Sequence, residues 1–96
     1  MRVEFLSPAN LDYVKAVDFY ESERPGLGLE FIEDLERTVV FIGRFPSLGS
    51  PAPQNTRRVR LHTFPYALVY QVRRDTIWIV AVEHHSRQPG FWRDRA

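Results

Sequence analysis

The chain contains no cysteine. That excludes disulfides, a thiolate zinc site and a cysteine nucleophile, and it fits a reducing compartment. No apolar run approaches the ~18 residues that a membrane span needs. The opening Met1-Arg2-Val3-Glu4-Phe5-Leu6 is too short and too soon charged for a secretory signal. Gly26 and Gly28 are not followed by the Gly-Lys-Ser/Thr of a phosphate loop. Ser86 lacks the glycine-framed elbow and the orienting aspartate of a serine hydrolase. No repeat is visible. These absences predict a soluble, cytoplasmic protein that neither spans a membrane nor carries a cofactor.

What is present suits one domain over residues 1–96, with a modest core from 44% hydrophobic and 14% aromatic residues. The net charge of +1 hides a division. Residues 1–48 carry 5 basic and 9 acidic side chains; residues 49–96 carry 8 basic and 3 acidic. The basic residues of the second half are all arginine, whose planar fork suits phosphate and carboxylate recognition. A basic half of this kind is either a solvated face or a surface for an anionic target.

Residues 2–6 alternate as a short strand. Ser7-Pro8 then reads as a cap followed by the first helical position. Leu11, Val14, Val17 and Tyr20 predict the buried stripe of a helix ending near Glu23, before Arg24-Pro25-Gly26. A second helix is expected over about Leu27–Gly43, with a stripe of Leu29, Ile32, Leu35, Val39 and Ile42, leaving Phe31 and Phe41 off it. The short link predicts an antiparallel helical hairpin. Residues 45–56, with three prolines, read as an irregular loop. Arg57–Thr63, Tyr66–Val72 and Thr76–His84 read as three antiparallel strands, the last at the sheet centre. The fold class is therefore α+β: an N-terminal strand, a two-helix hairpin and a three-stranded antiparallel meander. The hairpin covers one sheet face, and the other stays partly open.

Alternation places Val59 and Leu61 on one face of the first of these strands and Arg58, Arg60 and His62 on the other. Two arginines on a common face can contact consecutive phosphates. His84 and His85 are neighbours on a strand, so their rings point to opposite faces and cannot easily chelate one ion; no metal site is expected. Each can instead be a hydrogen-bonding surface histidine, a proton donor or a target contact. Pro89-Gly90-Phe91-Trp92 either tucks the tail onto the sheet or presents Trp92 to a target.

Taken in order, Phe19-Tyr20, Gly26-Leu27-Gly28-Leu29-Glu30-Phe31, Phe45-Pro46, Arg58-Val59-Arg60-Leu61, Phe64-Pro65-Tyr66-Ala67-Leu68-Val69-Tyr70 and Ala81-Val82-Glu83-His84-His85-Ser86-Arg87-Gln88-Pro89-Gly90-Phe91-Trp92-Arg93 resemble the RelE/ParE superfamily over nearly the whole chain. These are the toxin halves of bacterial type II toxin–antitoxin, or plasmid stabilisation, pairs. The resemblance implies a growth-arresting toxin held in a hetero-oligomer by a cognate antitoxin. RelE-like members cleave mRNA in the ribosomal A site; ParE-like members poison DNA gyrase. In the nuclease branch, Arg58 and Arg60 match two alternating basic positions, and His85 or Arg87 matches the basic position after the last strand. Cleavage would then require His84 or His85 as acid or base. Arg58, Arg60, His62 and Trp92 would contact the target or nucleic acid. Two positions depart from RelE: Ala67 stands where it has a strand arginine, and Phe91 where it has the tail tyrosine. A reading of another class is a non-toxic binding module that acts with its antitoxin as a corepressor.

Overall fold

The computed structural model describes residues 1–96. The element order is β1 (Arg2–Phe5), α1 (Ser7–Glu23), α2 (Leu27–Arg44), β2 (Ser50–Ala52), β3 (Thr56–Arg60), β4 (Tyr66–Arg73) and β5 (Thr76–His84), with a 3-10 turn at Arg93–Arg95. The expected hairpin and meander are both present, and the class is α+β. The sheet is larger than the sequence suggested: five strands in the order β1-β5-β4-β3-β2. β4, not β5, lies at its centre. β1 joins the edge in parallel with β5, Arg2 opposite Thr76 and Phe5 opposite Ile79.

β2 corrects the reading of residues 45–56 as wholly irregular. Ser50, Pro51 and Ala52 pair with Arg58, Arg57 and Thr56. A proline is tolerated here because β2 is an edge strand, where one side of the backbone needs no ladder donor. Gln54 and Asn55, both with φ near +60° (64° and 58°), turn the chain tightly back into β3. β3 is also shorter than expected, because the chain bends at residues 61–65 before β4.

The expected stripes are buried in part: Val17 and Tyr20 of α1 and Leu35, Val39 and Ile42 of α2 lie in or against the core, while small and aromatic residues replace the others. In α1, Leu11 and Val14 are exposed, while Ala9 and Ala16 are buried with Tyr13, Val17 and Tyr20 packed beside them. The two alanines let the helix lie close to the sheet. In α2, Leu29 is exposed, and Gly28, Phe31, Leu35, Thr38 and Ile42 face inward. Phe31, expected off the stripe, lies at its centre, in ring contact with Tyr20, Phe64 and Tyr66 at 5.0–5.4 Å. Gly28 belongs to the stripe because a Cβ there would meet the Val17 carbonyl at 3.1 Å, so only glycine lets α1 and α2 approach so closely. The start of α1 also differs: Ser7 is its first residue, Leu6 is the cap position, and no side chain caps the turn. Leu6 donates its N–H to the Ile79 carbonyl (3.0 Å) while its own carbonyl accepts from Asn10 (2.9 Å). The chain thus passes from strand to helix within one residue.

The main core lies between the hairpin and one sheet face, around Leu68, Tyr70, Ile77, Ile79 and Val82. The opposite face is not open across β4 and β5. Trp92 folds back onto Val69, Val80 and Ala81 as a second, smaller core. The β4–β5 register skips Val80, leaving a bulge. That bulge puts Val80 and Ala81 in succession on the Trp92 side and frees two backbone groups. Arg95 donates to the Val80 carbonyl (3.1 Å), and Asp12 accepts from the Val82 N–H (3.1 Å). Arg95 and Asp12 are themselves joined by two hydrogen bonds, at 2.7 and 3.2 Å. One ion pair therefore fastens α1, the bulge and the tail together. No helix is long and apolar enough to cross a membrane.

Candidate functional site: a basic face at the end of the sheet

Five of the seven side chains singled out from sequence gather where β3, β5 and the tail meet, but they do not form one cluster. Arg58 and Glu83 sit on β3 and β5 with β4 between them, and their side chains cross it. Arg58 Nε donates to Glu83 Oε1 at 2.8 Å. In the register Ala67 lies directly between Arg60 and Glu83. Glu83 is buried, at 7% exposure. Its second oxygen accepts from Trp92 Nε1 at 3.3 Å. Burying a carboxylate is tolerable because both oxygens are paired.

Trp92 is 3% exposed. Its expected role as a target contact is therefore corrected: a ring packed on Val69, Val80 and Ala81 cannot stack on a base. It is the anchor that closes the tail. Arg58 is likewise committed through Nε, and it presents to a target only the outer edge of its guanidinium.

His84 and His85 point to opposite sides, as strand alternation predicts. His84 lies on the helix side. Its ring meets Tyr66 edge-on at 4.9 Å, and its Nδ1 accepts the Ser86 backbone N–H at 3.0 Å. His85 lies on the basic side. Its backbone is fixed by a bond to the Pro65 carbonyl (2.9 Å), and its ring borders a shallow groove of about 340 Å³ with Arg58, Arg87, Gly90 and Arg93. Desolvation, then the charges of Arg60, Arg58 and His84, lower its pKa below the usual histidine value; Glu83 opposes them. His85 is accordingly a neutral imidazole at pH 7, a hydrogen-bonding group amid guanidinium charge.

Arg87 stands at the rim, 4.0 Å over the Phe91 ring. It borders both the His85 groove and the groove of about 260 Å³ beside His84 and Lys15. Arg60 is exposed at the end of β3. His62 falls beyond that end, in the bend, and together with Arg60 lines a groove that Arg37 and Phe41 of α2 complete. The structure thus brings Arg58, His85, Arg87 and Arg93 to one groove, places Arg60 between it and the groove that His62 lines, and sets His84 apart. His, Asp and Glu side chains do not converge in any group of three that could hold a metal.

Sequence reasoning missed three carboxylates that shape this face. Glu83 was visible as a lone acid ending an apolar strand. Asp12 and Asp34 read only as polar helix positions. Asp34 is 1% exposed and accepts the N–H groups of His62, Thr63 and Phe64 at 3.1, 2.9 and 2.9 Å. It fixes the bend that leads from β3 into β4.

The architecture is similar to that of a solved chain described as a chromosomal ParDE TA system from P. aeruginosa. The match has a TM-score of 0.76 at 19% identity and covers 88% of this chain and 95% of that one. No curated protein sequence matches significantly. The sequence model for the ParE toxin of the type II toxin–antitoxin system, parDE, matches residues 3–89. With nearly the whole of the sheet and both helices inside that match, the chain belongs to the ParE toxin family of type II toxin–antitoxin systems, within the RelE/ParE superfamily.

Proposed function

We propose that this protein is a cytoplasmic toxin that arrests bacterial growth by binding DNA gyrase, and that a co-expressed antitoxin neutralises it in a hetero-oligomer. The observation that carries the choice of target is the separation of the two histidines. Cleavage of a phosphodiester by proton transfer uses a base and an acid on the two sides of one phosphate. Here His84 and His85 are divided by the sheet, Trp92 is buried, and Arg58 is paired with Glu83. One neutral imidazole ringed by arginines supports recognition of an anionic or acidic surface better than it supports catalysis. For the antitoxin, the apolar groove between the helices at Tyr13, Val14, Val17 and Ile32 offers an uncovered seat.

Pulse-labelling after induction tests the target. Thymidine incorporation should fall before amino-acid incorporation, and the purified protein should inhibit gyrase supercoiling. An earlier fall in amino-acid incorporation, with mRNA cut at ribosomes, would reverse the assignment in favour of a ribonuclease. Unimpaired growth with abundant soluble protein would favour the corepressor module.

A further inference from the structure

The outer face of α2 carries an apolar patch with no partner inside the chain. Val40, Phe41 and Phe45 are 57%, 40% and 49% exposed, and the two phenylalanine rings lean on each other at 5.5 Å. They line a groove of about 580 Å³ whose remaining walls are Glu33, Glu36, Arg37 and Arg44. Glu33 and Glu36 precede Val40 and Arg44 follows it; Arg37, which also precedes it, is drawn toward Asp34 at 3.9 Å. Neither Glu33 nor Arg44 makes an ion pair within the chain, and Glu36 accepts only the Tyr13 hydroxyl at 2.9 Å.

We infer that this face is where a second copy of the chain docks, with the two α2 helices antiparallel across a two-fold axis at Val40. Glu36 and Arg44 lie four residues either side of Val40 on one i±4 ridge. The two-fold therefore sets Glu36 of each copy against Arg44 of the other. A parallel arrangement would set like charges together. Four residues are about 6 Å of helix. At the common crossing angle of ~50°, the helices have separated by only about 5 Å at that point, well within the reach of arginine and glutamate side chains. Arg37, Phe41 and Phe45 form the next ridge, so the phenylalanines flank the contact and exclude water from the paired charges. The interface is isologous, and each charge substitution acts in it twice.

The test is sedimentation equilibrium of the full chain, freed of any partner, from about 1 µM to about 1 mM, where a small interface is expected to associate. The wild type should pass from 11.3 kDa to twice that mass. Glu36→Arg and Arg44→Glu should each weaken the dimer at least about tenfold, since each creates two like-charge pairs. The double variant should recover to within about threefold of wild type. Its recovery cannot be a folding effect, because it lacks the Tyr13 bond just as Glu36→Arg does. Val40→Glu, at a site exposed within the chain, should abolish the dimer and leave the melting temperature in place. A chain monomeric throughout overturns the inference, as does a dimer indifferent to the single reversals. So does a monomer whose Val40→Glu variant is impaired only in binding the antitoxin.

Discussion

Replacing Asp34 by alanine removes the acceptor of three backbone N–H groups at once, those of His62, Thr63 and Phe64. A buried donor left without a partner costs about 1–3 kcal/mol. His62 and Thr63 are exposed enough for water to reach part of their backbone, so the lower end applies, and the sum is about 3 kcal/mol. A chain of this size has about 5–14 kcal/mol of stability in total. The loss is therefore a large fraction of it, equivalent to a fall in melting temperature of about 12–24 °C. Asparagine keeps one oxygen but turns an NH2 group toward the donors, and it should cost about 2 kcal/mol. Glu23→Ala, at an exposed position of the same hairpin, should stay within about 0.5 kcal/mol. Thermal unfolding followed by circular dichroism measures all three. Hydrogen exchange localises the effect, with the amides of residues 62–64 losing protection first. An Asp34→Ala protein that melts within about 3 °C of wild type would show that the bend holds itself, and that the carboxylate is not its anchor.

Gly49 has no space for a side chain, because a Cβ would lie 2.6 Å from the Tyr70 hydroxyl and 3.0 Å from Arg57 Cβ. Gly49→Ala should cost about 1–3 kcal/mol in chemical denaturation; an unchanged midpoint would mean that Tyr70 has room to move. Tyr70→Phe strands the Gly49 N–H and the Pro46 carbonyl, bonded at 3.1 and 2.6 Å, and should cost about 1–3 kcal/mol in the same experiment. Arg95→Ala should release the tail from Asp12 and Val80, seen as faster trypsin cleavage after Arg87 and Arg93 with the rest of the chain intact; unchanged cleavage would leave Trp92 as sufficient anchor. The His85 ring should titrate in NMR with a midpoint below 6.5, rising when Arg60 is replaced by alanine. The sign follows: the folded form binds this proton less readily than the unfolded chain, so the contribution of His85 to stability is present above about pH 6.5 and is lost as pH falls through the lowered value. A midpoint at or above 6.5 refutes the influence of the arginines.

The order of helices and meander strands was legible because turn residues and alternation are local signals. Which residues complete the buried stripes was not. Leu11 and Leu29 are larger than Ala9 and Gly28, yet close helix–sheet and helix–helix approach selects the small residues. β1 was legible as a strand but its place in the sheet was not, and β2 was missed as a strand altogether. The first pairs with a strand more than seventy residues away, and the second is disguised by its prolines. At the candidate site, the opposite placement of the histidines could be read from period two alone. The pairing of Arg58 with Glu83 could not, since it depends on the register of three strands. The burial of Trp92 depends further on a bulge that no local pattern announces.

The parallel pairing of β1 with β5 also governs when this molecule can exist. Arg2 meets Thr76, and Phe5 meets Ile79, so the first strand waits for the last before it has a partner. Contacts of such long sequence separation form late and cooperatively. During synthesis the hairpin can collapse early, but the basic face cannot assemble until β5 and the tail have left the ribosome. A product truncated before Thr76 would lack the interior strand between β1 and β4 and could not display the face. Display of the basic face is thereby tied to the synthesis of β5 and the tail, and a nascent copy lacks that face for most of the time it takes to make these residues.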